Sequence, residues 1–180
     1  MELFDLYTKD RVKNGRTMVR GEPVPENCYR IVVHICIFDS EGRMLIQQRQ
    51  PFKHGWSNMW DITVGGSAIA GDDSQSAAER ETREELGLEI DLSEVRPSLT
   101  LHWEHGFDDY YLLTQDVDPE SLHLQYEEVQ AVRWADRDEI MQMIDDGQFI
   151  PYDKGLIDLL FFQRNHRGAH TRRDTTGADD

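Results

Sequence analysis

The sequence predicts an α/β fold in a single domain of 180 residues. Two stretches of the chain support this prediction. Residues 29–38 are rich in β-branched side chains, which favour a β-strand, whereas residues 74–86 have the caps and the charge pattern of an α-helix. A chain of this length can bury a sizeable core, and neither an internal repeat nor a second domain is evident in it.

The first 27 residues predict a strand extension that belongs to the same domain. Polar and apolar side chains alternate over residues 2–7, Lys13-Asn14-Gly15-Arg16 has the composition of a turn, and residues 17–20 would form the returning strand. Such an extension could cap the sheet or exchange with a second subunit in a homodimer. The sequence leaves both alternatives open.

Three further strands are predicted before the helix. Residues 29–38 and 43–49 flank a turn at Asp39-Ser40-Glu41-Gly42, and residues 60–64 form the third strand. The loop at 51–59 between them mixes cations with aromatic side chains. We therefore expect this loop to form a lip that contacts the substrate.

Several side chains in this region are candidates for substrate binding. Arg49 at a strand end and Lys53 in the loop are expected to meet phosphate groups. Trp56, Trp103 or Tyr110 could stack on a base or cover an apolar tail. For each of these five side chains the alternative is core packing or ordinary surface exposure.

The helix at 74–86 is bounded by clear signals. Asp72, Asp73 and Ser74 offer side-chain oxygens and negative charge to the free backbone N–H groups at its start, and Gly87 stands where it would end. Few of its residues are apolar. The helix therefore has little to bury if its polar face points to solvent.

Within this helix, Glu81, Glu84 and Glu85 are spaced i, i+3, i+4, which places three carboxylates on one face. Like charges so placed repel, and a positive charge should compensate them. One interpretation is a solvated face paired with Arg80. The other is a site for a hard divalent cation, because such cations take carboxylate, carbonyl and water oxygens. This second interpretation is favoured by the strand before the helix and by Gly65-Gly66, a pair that allows a tight turn and close approach of the backbone.

The stretch from Gly66 to Leu88 resembles the signature of the Nudix hydrolases, G-x5-E-x7-R-E-U-x-E-E-x-G-U, in which U is aliphatic. The positions that match are Gly66, Arg80, Glu81, Glu84, Glu85, Gly87 and Leu88. Asp72 replaces a glutamate of the signature but keeps its charge, and Thr82 replaces an aliphatic residue but keeps a methyl group for packing. The resemblance implies a Nudix-type α/β/α sandwich with a mixed β-sheet, spanning residues 28–164.

The same resemblance implies a Mg²⁺- or Mn²⁺-dependent enzyme that cleaves a diphosphate bond by water attack. Its substrate would be a small molecule in which a nucleoside diphosphate is linked to another group. The implied metal ligands in the signature are the carboxylates of Glu81, Glu84 and Glu85 and the backbone carbonyl of Gly65. Arg80 would orient these carboxylates by pairing with them.

A further carboxylate is implied outside the signature, in the pair Glu127-Glu128. Glu128 is the candidate, either as a metal ligand or as the general base, and the alternative is a solvated glutamate pair. The identity of the base is left open among Glu84, Glu81 and Glu128.

Two other functions are alternatives to hydrolysis. The layout is similar to that of isopentenyl-diphosphate isomerases, a branch that shares the fold, but those enzymes carry an essential Cys-Gly-His where this chain has Gly65-Gly66-Ser67. A ligand sensor that has lost the metal site is the other alternative. The intact glutamates of the helix argue against it.

The rest of the chain predicts strands at 98–104, 109–115 and 130–135, and then two helices. The first helix is capped by Asp136 and runs to about residue 144, and the second is opened by Pro151 and Asp153. From residue 165 to 180 the apolar residues give way to His, Arg, Gly, Thr and Asp, which predicts a flexible tail.

Composition limits the partners. The formal charge of −16, from 35 acidic and 19 basic residues, disfavours nucleic acid and anionic membranes as partners. The longest apolar run is too short to span a bilayer, and the first 20 residues lack the apolar core of a secretion signal. Cys28 and Cys36 predict reduced core thiols, and we expect a cytoplasmic protein.

Overall fold

The computed structural model describes residues 2–166 and residue 168. Within them the chain forms nine strands and three α-helices. In order these are β1 (Leu3–Tyr7), β2 (Lys13–Val19), β3 (Arg30–Phe38), β4 (Met44–Arg49), β5 (Trp60–Asp61), β6 (Val64–Ser67), α1 (Ser74–Leu86), β7 (Leu99–Trp103), β8 (Gly106–Thr114), β9 (Val129–Ala135), α2 (Arg137–Asp145) and α3 (Lys154–Gln163). The predicted tail at 165–180 lies outside the described residues except for 165, 166 and 168.

The predicted mixed sheet is confirmed. Seven strands, β3 to β9, form one sheet in which β3 pairs in parallel with β8 along its whole length, from Arg30 opposite Gly106 to Phe38 opposite Thr114. The pairings of β3 with β6, of β4 with β5 and β9, and of β7 with β8 are antiparallel. The sheet therefore combines both strand directions around β3.

Helices cover both faces of this sheet. Alternate residues of β3 point to opposite sides, so Ile35 belongs to a core that includes Ala77 and Leu86 of α1, whereas Cys36 belongs to a second core. That second core contains buried side chains of α2 and α3 such as Ile140 and Leu160. The predicted α/β/α sandwich is confirmed.

The strand predicted at 60–64 is instead two strands with a bend between them. β4 touches β3 only where Phe38 faces Met44, and beyond that point the two strands separate. β5 pairs with β4 and β6 pairs with β3, so the chain crosses the gap at Thr63. The buried Thr63 hydroxyl accepts from Ile37 N at 2.9 Å and donates to Leu45 O at 2.5 Å, which joins both strands.

The N-terminal hairpin exists, but its turn was predicted in the wrong place. The chain reverses between Thr8 and Val12, where Arg11 adopts a φ of 62°, and the predicted turn residues belong to β2. Asn14 Oδ1 accepts from Arg16 N at 3.0 Å, and Gly15 has a φ of 77°. Asn14-Gly15 therefore forms a bulge in β2. Asn-Gly favours a positive φ, which a bulge needs as much as a turn does.

The hairpin packs on the loop that precedes α1. Ala70 N donates to Leu3 O at 2.7 Å, and Gly71 N donates to the Asp5 carboxylate at 2.9 Å. At the far end of the hairpin, Arg11 Nη1 donates to Asp109 Oδ1 at 2.8 Å, and the Asp109 side chain is fully buried. The hairpin is thus fixed at both ends against its own chain, and the predicted homodimer stays a prediction.

The cysteines and the possible membrane spans can also be compared with the structure. Cys28 and Cys36 are buried free thiols, as predicted, and the cytoplasmic location stays a prediction. Over residues 2–166 and 168, no helix has the length and apolar character needed to cross a membrane.

Candidate active site

Helix α1 begins and ends where the sequence predicts. Asp73 is its N-cap and accepts from Ser76 N at 2.8 Å, while Ser76 Oγ accepts from Asp73 N at 2.9 Å, which forms a capping box. Gly87 closes the helix in the left-handed conformation with a φ of 65°. Thr82 is fully buried, and its hydroxyl donates to Ala78 O at 2.7 Å, so this departure from the signature leaves no unpaired polar group.

Arg80 holds the acidic side chains of the signature together. Its guanidinium donates to Glu81 Oε1 at 3.0 Å, to Glu84 Oε2 at 3.1 Å and to Asp72 Oδ2 at 3.0 Å. Part of the positive charge that the clustered carboxylates need therefore comes from this arginine. Asp72 is not a helix cap but a partner of Arg80, and its shorter side chain still reaches the guanidinium.

Gly65 and Gly66 lie in β6, and neither forms the turn that the sequence suggested. Their second predicted property, close approach of the backbone, is present at Gly66. A methyl group placed there would lie 2.1 Å from Glu81 Cδ and 2.3 Å from Glu81 Oε1. The missing side chain of Gly66 therefore makes the space that the Glu81 carboxylate occupies.

Glu85 is the most deeply buried of these carboxylates, with 6% of the residue exposed. Gln47 Nε2 donates to Glu85 Oε2 at 3.0 Å. Burial raises the pKa of the Glu85 carboxyl well above its ordinary value, and the nearby Glu81 carboxylate raises it further. Burial also raises the pKa of the Glu81 carboxyl, against the opposing effect of Arg80.

These side chains line a cleft of about 250 Å³, here called the carboxylate cleft. It brings together most of the residues that the sequence singled out. The carboxylates are Glu81, Glu84, Glu85 and Glu128, the cations are Arg49, Lys53 and Arg80, and the backbone of Gly65 and Gly66 forms part of the wall.

The wall opposite α1 comes from two loops. Lys53 Nζ lies 2.5 Å from Glu128 Oε2, and Gln50 N donates to Glu128 O at 3.0 Å, so the loops after β4 and before β9 are joined at Glu128. Arg49 Nε is buried and has no hydrogen-bond partner among the described residues. Such a group is available to a ligand in the cleft.

The aromatic side chains that were candidates for substrate binding do not line the carboxylate cleft. Trp56 is 53% exposed and does not line the carboxylate cleft, and Trp103 lines a neighbouring cavity. For Tyr110 the alternative of core packing is confirmed, because it is 2% exposed and lies against His34 with ring centroids 4.4 Å apart. Its place on β8 faces the core.

Sequence reasoning missed three residues of the cleft, which are Glu2, Arg20 and Gln125. Arg20 Nε and Glu2 Oε2 are 3.0 Å apart, just beyond the ends of the N-terminal hairpin. No motif marks Glu2 and Arg20, because they reach the cleft only through the way the hairpin packs. Gln125 precedes β9, and its backbone N donates to Glu85 O at 2.9 Å.

Comparison with known proteins agrees with this arrangement. Residues 29–154 match the family model described as NUDIX domain, which is more than half of the chain. The chain belongs to the Nudix family. It is 46% identical over 170 residues to an uncharacterized Nudix hydrolase of Listeria monocytogenes, and the match covers 94% of this chain and 99% of that protein.

The chain is also similar to an isomerase and to a solved structure. It is 33% identical over 119 residues to an isopentenyl-diphosphate Delta-isomerase of Serratia proteamaculans, covering 62% of this chain and 63% of that protein. A crystal structure of a Deinococcus radiodurans protein superposes with a TM-score of 0.69 at 23% identity, covering 88% of this chain and 97% of that one. The latter similarity shows the fold.

The donors of this Nudix cleft suit a hard divalent cation in their chemistry. They are carboxylate and carbonyl oxygens, and the buried Glu85 carboxylate lacks a cationic partner among the described residues. In residues 2–166 and 168, however, no three His, Cys, Asp or Glu side chains are placed to hold one metal ion. Arg80 and Lys53 bind Glu81, Glu84 and Glu128 instead, so the ligand assignment stays a prediction.

Proposed function

We propose that this protein is a Mg²⁺- or Mn²⁺-dependent diphosphohydrolase that cleaves the diphosphate bond of a small nucleoside-diphosphate-linked substrate by water attack. One observation carries the proposal: five carboxylates and four cations, from the signature and from distant parts of the chain, line one cleft. Carboxylates can hold the metal, and cations can hold phosphate oxygens. A diphosphate needs both.

Each side chain then has a defined task. Glu81, Glu84, Glu85 and Glu128 would hold the cation, together with the carbonyl of Gly65. When bound, the cation would neutralise phosphate oxygens and lower the pKa of a coordinated water. Arg49 and Lys53 would bind the phosphates and fix their position. Arg80 would keep the carboxylates of α1 in place.

The general base is one of Glu84, Glu81 and Glu128. Glu84 has features that suit it to this role, since its side chain is 48% exposed and bonded only to Arg80 among the described residues. Glu81 and Glu128 are each held in a closer pairing with a cation. A base must exchange a proton with water, and the more accessible carboxylate can do so more readily.

A second candidate function is isomerisation of a prenyl diphosphate, favoured by the similarity to the Serratia proteamaculans isomerase. The isomerases carry an essential thiol where this chain has Gly65. Neither Cys28 nor Cys36 lines the carboxylate cleft, and both are buried elsewhere. The chain thus offers no thiol in place of the missing one, and hydrolysis is the better supported function.

The test is a substrate screen on purified protein. Nucleoside triphosphates, nucleoside-diphosphate sugars, dinucleoside polyphosphates and prenyl diphosphates are incubated with and without Mg²⁺ or Mn²⁺, and the released products are separated by chromatography and identified. Chromatography is needed because cleavage of a nucleoside-diphosphate sugar gives a nucleoside monophosphate and a sugar phosphate, with no free phosphate or pyrophosphate. Metal-dependent release from one class supports the proposal. A shifted double bond in an intact prenyl diphosphate would favour the isomerase, and stabilisation by a ligand without turnover would favour a sensor.

Two variants tie any activity to the cleft. Glu84→Gln should reduce turnover by about 10² to 10⁴-fold, because it removes a carboxylate that would bind the metal or act as the base. Thermal stability should change little, because the substitution removes no core volume. Glu89→Gln is the matched control, since the Glu89 side chain is 76% exposed and lies outside the cleft. Near-full activity of the Glu84 variant would contradict the site.

A further inference from the structure

A second cavity, of about 390 Å³, adjoins the carboxylate cleft. We call it the hairpin cavity and define it by Phe4, Arg20, Arg30, Ser67 and Trp103, which line it. Arg20 lines both cavities, and Ser67 directly follows Gly66 of the cleft wall. A substrate whose diphosphate lies in the cleft could therefore extend into the hairpin cavity.

Arg30 is fixed in position within this cavity. Its guanidinium lies 5.2 Å from the ring centroid of Trp103 and 5.6 Å from that of Phe4. Its Nη1 donates to Ser67 Oγ at 2.9 Å. The Trp103 ring is itself oriented by a 2.9 Å bond from its Nε1 to Asp108 Oδ1. Arg30 is thus held by aromatic faces and one hydroxyl.

Arg30 also has unused hydrogen-bonding capacity. A guanidinium has five N–H donors, and among the described residues only Ser67 accepts a hydrogen bond from this one, with no carboxylate within ion-pair distance. Burial lowers the pKa of the Arg30 guanidinium because desolvation disfavours its charge, and Asp108 offsets this only in part. A partly buried cation of this kind is stabilised by an anion.

The charge around the cavity contrasts with that of the whole chain. The protein has 35 acidic and 19 basic residues, yet this cavity is lined by two arginines, of which Arg20 is paired with Glu2, and by a single carboxylate, the exposed Glu22. Its volume falls within the roughly 300–1,000 Å³ of small-molecule sites. The cavity can hold an organic group with an anion at its end.

We propose that the hairpin cavity binds the part of the substrate beyond the scissile diphosphate, and that Arg30 recognises a further phosphate group on that part. This inference rests on the proposed function for the location of the diphosphate. The planar fork of an arginine matches two phosphate oxygens, which a lone lysine does not. The N-terminal hairpin, which supplies Phe4 and the edge residue Arg20, would then determine substrate selectivity.

The test uses coenzyme A and dephospho-coenzyme A, which share a diphosphate and differ by one 3′-phosphate. Steady-state kinetics with Mg²⁺ are measured for the wild-type protein, Arg30→Gln and Arg133→Gln. Arg133 is the matched control, because it also lies over an indole ring, 4.8 Å from Trp60, but is bonded to Glu139 and lies outside both cavities.

We expect the wild-type protein to prefer coenzyme A by about 10- to 100-fold in kcat/KM, mainly through KM. Arg30→Gln should remove that preference and leave dephospho-coenzyme A turnover within about threefold, whereas Arg133→Gln should keep it. A wild-type protein without preference, or an Arg30 variant that loses both activities equally, would overturn the subsite while leaving hydrolysis intact.

Failure of the proposed function would look different. In that case neither compound is cleaved in the presence of metal. Isothermal titration calorimetry of both compounds with the wild-type protein and Arg30→Gln then measures binding affinity and tests the hairpin cavity independently of hydrolysis. Tighter binding of coenzyme A that depends on Arg30 supports the subsite. Equal binding of both compounds rejects it.

Discussion

Gly66 offers a sharp test of the site, because its missing side chain makes room for Glu81. A methyl group at this position would lie 2.1 Å from Glu81 Cδ, whereas two carbon atoms in contact are about 3.5 Å apart. Gly66→Ala must therefore displace the Glu81 carboxylate by about 1.4 Å. Since misplacement by about 1 Å can reduce turnover about 10²-fold, we expect a loss of at least that size.

The neighbouring glycine provides the control. The nearest atom to a methyl group at Gly65 would be His34 Nδ1 at 3.5 Å, an ordinary contact, and neither glycine has a positive φ. Gly65→Ala should keep most of the activity. Metal-dependent hydrolysis is measured for both variants with the substrate found in the screen, and thermal unfolding confirms that both fold. Equal activity of the two variants would refute the role given to the Gly66–Glu81 contact.

The remaining predictions concern stability and metal removal. Burial raises the pKa of the Glu85 carboxyl in the folded protein above its ordinary value of 4.5. The ionised carboxylate therefore destabilises the metal-free protein increasingly as the pH rises above that value. Glu85→Gln should raise Tm at pH 7 but not at pH 4, and it should abolish turnover. Arg11→Met leaves the buried Asp109 without its cation and should lower Tm by roughly 10 °C, whereas Lys9→Met, at an exposed pair, should change it little. Removal of metal with EDTA should weaken pyrophosphate binding in a calorimetric titration, and equal affinity with and without Mg²⁺ would contradict a metal-dependent site.

Most of the fold could be predicted from local sequence signals. The caps at Asp73, Asp136 and Asp153 mark the starts of all three helices described, because side-chain oxygens at these positions bond backbone N–H groups whatever the tertiary context. The bend at Thr63 could not be predicted, since it exists only because β4 separates from β3. Asn14-Gly15 was misread because one dipeptide serves both a turn and a bulge.

The site was predictable where one short segment carries it. The signature fixes Arg80 and its glutamate neighbours on one helix, and the helical period alone places them together. Glu128 also reaches the cleft, although its position depends on pairing with Lys53 and Gln50 of another loop. Arg20 carries no such signal, because its position depends on how the hairpin packs against the rest of the protein.

The ion pairs of the cleft explain how a protein with a formal charge of −16 could accept a diphosphate. In the structure, Lys53 is bound to Glu128, Arg80 to Glu81 and Glu84, and Arg20 to Glu2. These cations neutralise carboxylates and are therefore not free for phosphate. A divalent cation taken up by the carboxylates would release Lys53 from Glu128, while Arg80 would still orient the carboxylates of α1. Metal and diphosphate should therefore each favour the binding of the other. The surplus of carboxylates would then make substrate binding depend on metal, because without metal the carboxylates would repel the anion.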